Sequence, residues 1–311
     1  MSTAFLFPGQ GSQAVGMGQA LAQAFPEARA VFAAVDDALS ESLSGLCFNG
    51  PGEALTLTAN TQPAILAVSL AAHAVWAART EGPSHVAGHS LGEYSALVAA
   101  GALGLADAAR AVRARGRFMQ EAVPKGEGAM AAVLGLDAAR VAALCQQLAG
   151  DEVLAPANYN TPEQTVVAGH ARAVERAAPH FKEAGAKRVV PLNVSAPFHC
   201  ALMAPVVPRL QDILASVRVG AVRVPVVTNV EARPNTDASR VVPLLLQQVT
   251  SPVRWVESVE AMAAAGVTRM VELGPGRVLS GLVRSTSRQL EVLNVEDVAS
   301  LEKALAAVGK G

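Results

Sequence analysis

Charge is scarce in this chain of 311 residues: Asp, Glu, Lys and Arg make up 16%, against 51% hydrophobic residues. That balance excludes a disordered chain and allows a sizeable core, as one large domain or one domain with an insertion. No run of Lys and Arg occurs and the formal net charge is −1, so no nucleic-acid partner held by bulk positive charge is expected. The three cysteines, Cys47, Cys145 and Cys200, have neither metal-site spacing nor a disulfide framework, which points to a reducing compartment. Long apolar runs are missing as well. The segment Ala64 to Ala78 holds Ser69 and His73 and is too short to span a bilayer, so it reads as a buried helix with no membrane partner. Met1 to Phe7 lacks a basic stretch and reads as a first buried strand, not a targeting signal. Together these readings imply a cytoplasmic protein.

What is present is an alternation of short apolar strands with alanine-rich helices, the pattern of an α/β fold. A strand at Ala4–Phe7 leads through a glycine-rich turn to helices at about Gly16–Phe25, Pro26–Leu39 and Pro63–Ala78. A strand at His85–Ala87 follows, then a helix from about Glu93 to Gly101 and another at Ala106–Val123. The character changes at Pro124–Gly128. From there the chain reads as strand Ala129–Leu134, helix Asp137–Leu148, strands Val153–Tyr159 and Gln164–Gly169, helix Ala171–Ala184 and strand Lys187–Val194. This β-α-β-β-α-β order is the ferredoxin-like pattern and predicts a small inserted unit at 126–197 within a core of 1–125 and 198–311. The core resumes with helix Ala201–Ser216, strand Pro225–Thr228 and helices Val241–Gln248 and Val256–Ala265. Strand Arg269–Glu272, the turn Gly274-Pro275-Gly276 and a last helix complete it.

The strongest chemical signal is Gly88-His89-Ser90-Leu91-Gly92, set between a strand and a helix. That is the layout of a nucleophile elbow, where a serine sits exposed on a sharp turn and its neighbours must be small. The Leu91 amide would lie beside the oxyanion of an attacked carbonyl, so acyl transfer or hydrolysis through an acyl-serine is expected. A serine needs a base. Of six histidines, His199 stands where the chain re-enters the main fold, at a junction where a cleft forms. His89 reads as packing beside the elbow, and His73, His85, His170 and His180 as structural or solvated. No Asp or Glu stands in the obvious place to orient the base. Gln248, at a helix end before Ser251-Pro252, could do so through its side chain or its backbone carbonyl.

Six motifs occur in a telling order: Phe7-Pro8-Gly9-Gln10-Gly11-Ser12-Gln13, Gly88 to Tyr94, Arg115-Gly116-Arg117-Phe118-Met119-Gln120, Asn158-Tyr159-Asn160, Phe198-His199-Cys200 and Glu272-Leu273-Gly274-Pro275-Gly276. Through them almost the whole chain resembles the malonyl-CoA:acyl carrier protein transacylases. The resemblance implies an α/β-hydrolase-like core with an inserted ferredoxin-like unit. It also implies Ser90 as the acylated nucleophile, His199 as base, the Gln248 backbone carbonyl as its support, and the Gln10 and Leu91 amides as the oxyanion hole. Arg115 would pair with the malonyl carboxylate through its planar fork. Arg110, Arg113 and Arg117 on the same helix read as a solvated basic face. By the same resemblance Phe198 would favour malonyl over its α-methyl analogue, Asn160 and Val278 would lie near the thioester, and Arg188 near the coenzyme A arm. Malonyl-CoA and acyl carrier protein are the implied partners, in fatty acid biosynthesis, with no metal or organic cofactor. The malonyl transferase of a malonate decarboxylase or polyketide pathway is the near alternative. A serine hydrolase and a non-catalytic acyl-CoA-binding subunit are the distant ones.

Overall fold

The computed structural model describes residues 2–194 and 196–309, so Met1, Ser195, Lys310 and Gly311, which the expected unit boundaries include, lie outside the described residues. Among the described residues the strands are β1 (Thr3–Phe7), β2 (His85–Gly88), β3 (Gly128–Leu134), β4 (Leu154–Thr161), β5 (Gln164–His170), β6 (Arg188–Pro191), β7 (Val226–Val227), β8 (Pro234–Asn235), β9 (Val253–Arg254), β10 (Arg269–Leu273) and β11 (Glu291–Val295). They form two sheets, one in the order β11-β10-β1-β2-β7-β8 and one in the order β6-β3-β5-β4-β9. The result is a mixed α/β fold.

In the first sheet all pairs are parallel except the edge pair β7–β8. Ala4, Phe5, Leu6 and Phe7 of the central strand β1 are all buried, as a parallel strand covered on both faces requires. Phe5 and Phe7 pack into the large cluster on one face, Ala4 and Leu6 into the smaller cluster on the other. The chain runs from β1 to β2 on one side and only later returns through β10 to the other side of β1, so the ends of β1 and β2 open onto a crevice.

The helix expected to start at Pro63 instead runs over Thr58–Ala77, with Pro63 inside it. Proline has no N–H to give the carbonyl one turn back. That carbonyl, on Ala59, takes its hydrogen bond from the Arg113 guanidinium at 2.8 Å. Arg113 also bonds Asn60 and pairs with Glu41, so it is tied to structure and is no solvated charge. Arg110 pairs with Asp107 at the surface, and Arg117 lies over the Phe118 ring.

Several elements differ from the sequence reading. Short helices at Leu43–Asn49 and Gly52–Thr56 were not expected. The first helix covers only Gln19–Ala24. The helix expected at Ala201–Ser216 is a 3-10 turn, Ala201–Met203, and then a helix, Val206–Leu214, separated at Pro205. The C-terminal region holds more than one helix: Val278–Thr286 is followed by β11 and by Val298–Val308, whose start Asp297 and Ser300 close as a capping box.

The second sheet contains the six expected ferredoxin-like elements, with helices Ala138–Leu148 and Ala171–Glu183 between the strands. β3 pairs antiparallel with β5 and β6, and β5 with β4. The sheet is not closed within 126–197, however. β9 of the C-terminal part adds to β4 in parallel, with Asn158 opposite Val253.

Candidate active site

The elbow is a packing necessity. A Cβ on Gly88 would lie 1.9 Å from the backbone of Gly92, and one on Gly92 would lie 2.1 Å from the Phe7 carbonyl oxygen. Only glycine lets the turn close against β1. Ser90 between them has φ 53°, a left-handed conformation that costs a non-glycine residue energy. Asn229, fully buried after β7, holds it there: its Oδ1 accepts from the Ser90 amide at 2.7 Å and its Nδ2 donates to the Gly88 carbonyl at 2.7 Å. The next residues open the helix Gly92–Ala99, whose N-terminus favours negative charge at the turn.

His199 is buried and also left-handed, with φ 60°. Its Nε2 lies 2.7 Å from Ser90 Oγ and its Nδ1 2.9 Å from the Gln248 carbonyl oxygen. A carbonyl can only accept, so Nδ1 carries the hydrogen and Nε2 is left to accept from the serine hydroxyl. Gln248 ends the helix Val241–Gln248, where carbonyls lack helical partners. Burial, with Arg115 adding to it, pushes His199 down to about 3, so the ring is neutral and ready as a base at neutral pH.

Arg115 comes from the helix Leu105–Glu121 and is buried. The helix approaches closely because Gly116 leaves room: a Cβ there would meet the Thr58 carbonyl at 2.5 Å. The guanidinium donates to Gln62 Oε1 at 2.8 Å, to Gln248 Oε1 at 2.9 Å and to Ser90 Oγ at 3.1 Å. Its Nε has no partner. Among the described residues no carboxylate touches it directly, so a fixed cation stands beside the nucleophile.

Among the described residues neither the Gln10 nor the Leu91 amide donates a hydrogen bond. The turn after β1 is bound to the elbow through the His89 amide, which donates to the Phe7 carbonyl at 3.0 Å. Gly9 allows this approach, since a Cβ there would lie 2.6 Å from the His89 carbonyl oxygen. A cleft of about 380 Å³ is lined by Gln10, Ser90, His199, Phe198, Asn158 and Leu192, among others. Asn160 does not line it. It accepts from His89 Nε2 at 2.9 Å instead and donates to Gln164 at 3.1 Å, so His89 links it to the elbow. Val278 (half exposed) and Arg188 (exposed on β6) also lie outside the lining. A larger cavity of about 610 Å³ sits at the opposite end of β1, but no Ser, Cys or His lines it.

Three site residues escaped the sequence reading: Asn229, Gln62 and Glu93. Glu93 is buried, and its Oε2 accepts from Gln248 Nε2 at 2.7 Å and from the Asn229 amide at 3.1 Å. Burial raises it to about 7. Glu93 stands inside the elbow motif, and that position was its only sequence signal.

A serine with a neutral histidine and a buried arginine beside it suits a carboxylate-bearing acyl group. Comparison with known proteins agrees. The family model described as an acyl transferase domain matches residues 4–307. The malonyl CoA-acyl carrier protein transacylase of Escherichia coli K12 is 47% identical over 303 residues, covering 97% of this chain and 98% of that protein. The chain belongs to the malonyl-CoA:acyl carrier protein transacylase family. An acyl-carrier-protein S-malonyltransferase from Bartonella henselae superposes with a TM-score of 0.95 at 48% identity, covering 99% of this chain and all (100%) of that one. A malonyl-transacylase solved in complex with its type II PKS acyl-carrier protein gives a TM-score of 0.96 at 45% identity, covering 99% and 100% of the two chains. No helix among the described residues is long and apolar enough to cross a membrane, and no cluster of three or more His, Cys, Asp or Glu there could hold a metal ion.

Proposed function

We propose that this transacylase carries malonyl from malonyl-CoA to the phosphopantetheine thiol of acyl carrier protein, for fatty acid synthesis, through a malonyl ester on Ser90. The reading rests above all on one observation: Ser90 Oγ lies 2.7 Å from His199 Nε2 and 3.1 Å from Arg115. Ser90 attacks the thioester carbonyl while His199 takes its proton, and the Gln248 carbonyl supports the imidazolium that forms. The free amides of Gln10 and Leu91 receive the oxyanion. His199 then returns the proton to the departing CoA sulfur. The carrier's thiol attacks the ester by the same steps in reverse, so one site serves both half-reactions.

Malonyl carries its carboxylate two carbons from the reacting carbonyl. Arg115 binds it there and holds the ester away from a productive line of water attack. Phe198 walls the cleft against an α-methyl group. Asn160 acts through His89, whereas Val278 and Arg188 serve the thioester and coenzyme A arm from outside the cleft. The same proposal divides the chain into a core of 1–125 and 198–311 and an inserted unit of 126–197, supported by the antiparallel ladder of β3 to β6. It places the enzyme in the cytoplasm, in keeping with three buried free cysteines.

Intact-mass spectrometry after mixing with malonyl-CoA tests the reading, with Ser90→Ala alongside. The expected result is a malonyl adduct on the unmodified chain only, removed by holo acyl carrier protein. Free malonate without an adduct would make the protein a hydrolase. No adduct and no turnover would make it a binding subunit.

A further inference from the structure

Arg115 is a buried cation, and burying a charge without compensation is costly. The nearest compensation is indirect. Gln248 Oε1 accepts from Arg115 at 2.9 Å, while Gln248 Nε2 donates to Glu93 Oε2 at 2.7 Å. The amide is fixed in this sense, because Nε2 also donates to the Ser90 carbonyl at 3.0 Å. Glu93 and Arg115 are therefore joined through one side chain, which places one buried acid and one buried cation side by side.

Among the described residues, Arg115 is the charge that acts on Glu93 through space. The elements packed on its helix are Thr58–Ala77, Leu105–Glu121, β1, β2 and β7. On those elements His73, which packs against Phe5 and Phe7, and His85, at the far end of β2, are pushed down by burial, as are His89 and His199 beside the elbow. Of the other charges on Leu105–Glu121, Arg110 pairs with Asp107, Arg113 with Glu41 and Glu121 with Arg209, while Arg117 lies over Phe118. Tyr94, next to it, is pushed up to about 12 and stays neutral. Among the described residues, Arg115 is thus the ion that Glu93 balances.

A malonyl carboxylate arriving at Arg115 would give the pocket two anions for one cation, in a region that excludes water. Like charges in such a setting favour protonation of one of them. We propose that Glu93 is an exchangeable counter-charge for Arg115: it carries the negative charge while the site is empty and takes up a proton when the malonyl carboxylate arrives, so that malonyl loading is coupled to proton uptake. The proton comes from solvent and binds Oε1, which accepts neither bond from Gln248 nor from Asn229. The Ser90 proton goes separately to the CoA thiol. Transfer of malonyl to the carrier releases the Glu93 proton again. Glu93, raised to about 7 by burial, is placed to exchange a proton at neutral pH.

This inference rests on the malonyl-serine reading above. The test loads the enzyme with excess malonyl-CoA in weakly buffered solution at about pH 7.5 with an indicator dye. The adduct is counted by intact mass, and the ionised fraction of released CoA thiol is subtracted. The expected uptake is roughly half to one proton per malonyl-serine. Glu93→Gln keeps an oxygen to accept from Gln248 and the Asn229 amide, so it should load malonyl and take up no proton. A second readout needs no variant: above pH 7 the KM for malonyl-CoA should climb by up to about tenfold per unit relative to that for acetyl-CoA. Adduct without proton uptake in the unmodified enzyme, equal uptake in Glu93→Gln, or a flat KM ratio would overturn the proposal. Absence of any adduct would instead remove the malonyl-serine reading.

Discussion

Replacing Arg115 by alanine separates recognition of the acyl group from its chemistry. The guanidinium makes three hydrogen bonds, to Gln62, Gln248 and Ser90, and among the described residues its Nε makes none. A malonyl carboxylate would therefore meet a donor set already fixed in place and charged. Truncating one partner of a buried hydrogen-bonded charge pair costs about 2–5 kcal/mol. At about 1.4 kcal/mol per decade, that is roughly 30-fold to several thousand-fold in kcat/KM for malonyl-CoA. Acetyl-CoA brings no carboxylate and loses only the contact at Ser90 Oγ, so its kcat/KM should fall by far less and the preference for malonyl should collapse. Arg115→Lys keeps the charge but not the two-pronged fork, and should fall between the two. The assay is rapid-quench loading of Ser90 with each acyl-CoA, read by intact mass. Equal losses for malonyl and acetyl would refute the reasoning, because Arg115 would then support the serine and not the acyl group.

Three further outcomes follow from the geometry. Gly92→Ala must push a Cβ to 2.1 Å from the Phe7 carbonyl, so denaturant unfolding should show a loss of about 3 kcal/mol or more and little catalysis should survive. His199 is held at about 3 and His73 at about 4 by burial, both below the usual 6.5 of the unfolded chain. The unfolded state then binds more protons, so stability is complete above about pH 6.5 and falls as pH drops towards 4, by up to about 1.4 kcal/mol per unit for each group; urea midpoints across that range check it. Phe198→Ala should open the cleft wall and raise turnover of the α-methyl analogue relative to malonyl by about tenfold or more, in a competition assay with both thioesters.

The parts of the site that were legible are those whose residue type is forced locally. Gly88 and Gly92 flank Ser90 because the turn has no room for a side chain, and that constraint appears in five consecutive letters. His199 was found from its place at the junction after the inserted strands, and Gln248 from the helix end that exposes its carbonyl. Arg115 stood among three other arginines on one helix. Nothing in the periodicity separates it from Arg113, which instead serves the carbonyl freed by Pro63. Asn229, Gln62 and Glu93 were not legible because burial, not identity, makes them part of the site. Burial comes from packing between β7, the elbow helix and two helices far apart in the chain. The two-residue strand β9 carries too few residues for any alternation to show, yet it joins the two sheets' neighbourhoods at β4.

Nucleophile and base are both non-glycine residues with positive φ, at 53° for Ser90 and 60° for His199. Such conformations cost about 1–3 kcal/mol each and persist only where the surroundings over-determine them. At Ser90 the surrounding restraint is Asn229, which spans the turn from the Ser90 amide to the Gly88 carbonyl with two bonds of 2.7 Å. Asn229→Ala removes both bonds and leaves two buried backbone groups without partners, a loss of about 1–3 kcal/mol apiece, partly offset by relaxation of the turn. A relaxed turn carries Ser90 Oγ away from its 2.7 Å contact with His199, while Arg115, held independently by Gln62, still receives the malonyl carboxylate. Asn229→Ala should therefore lower kcat by about ten- to a hundred-fold with KM for malonyl-CoA nearly unchanged, misplacement by an ångström being enough for such a loss. Asn229→Asp sharpens the test. It keeps an acceptor for the Ser90 amide but loses the donor to Gly88 and sets a second carboxylate beside Glu93. Its activity should recover in part at low pH, where one of the two acids is protonated. A loss in KM with kcat preserved would show that Asn229 serves the substrate pocket and not the shape of the elbow.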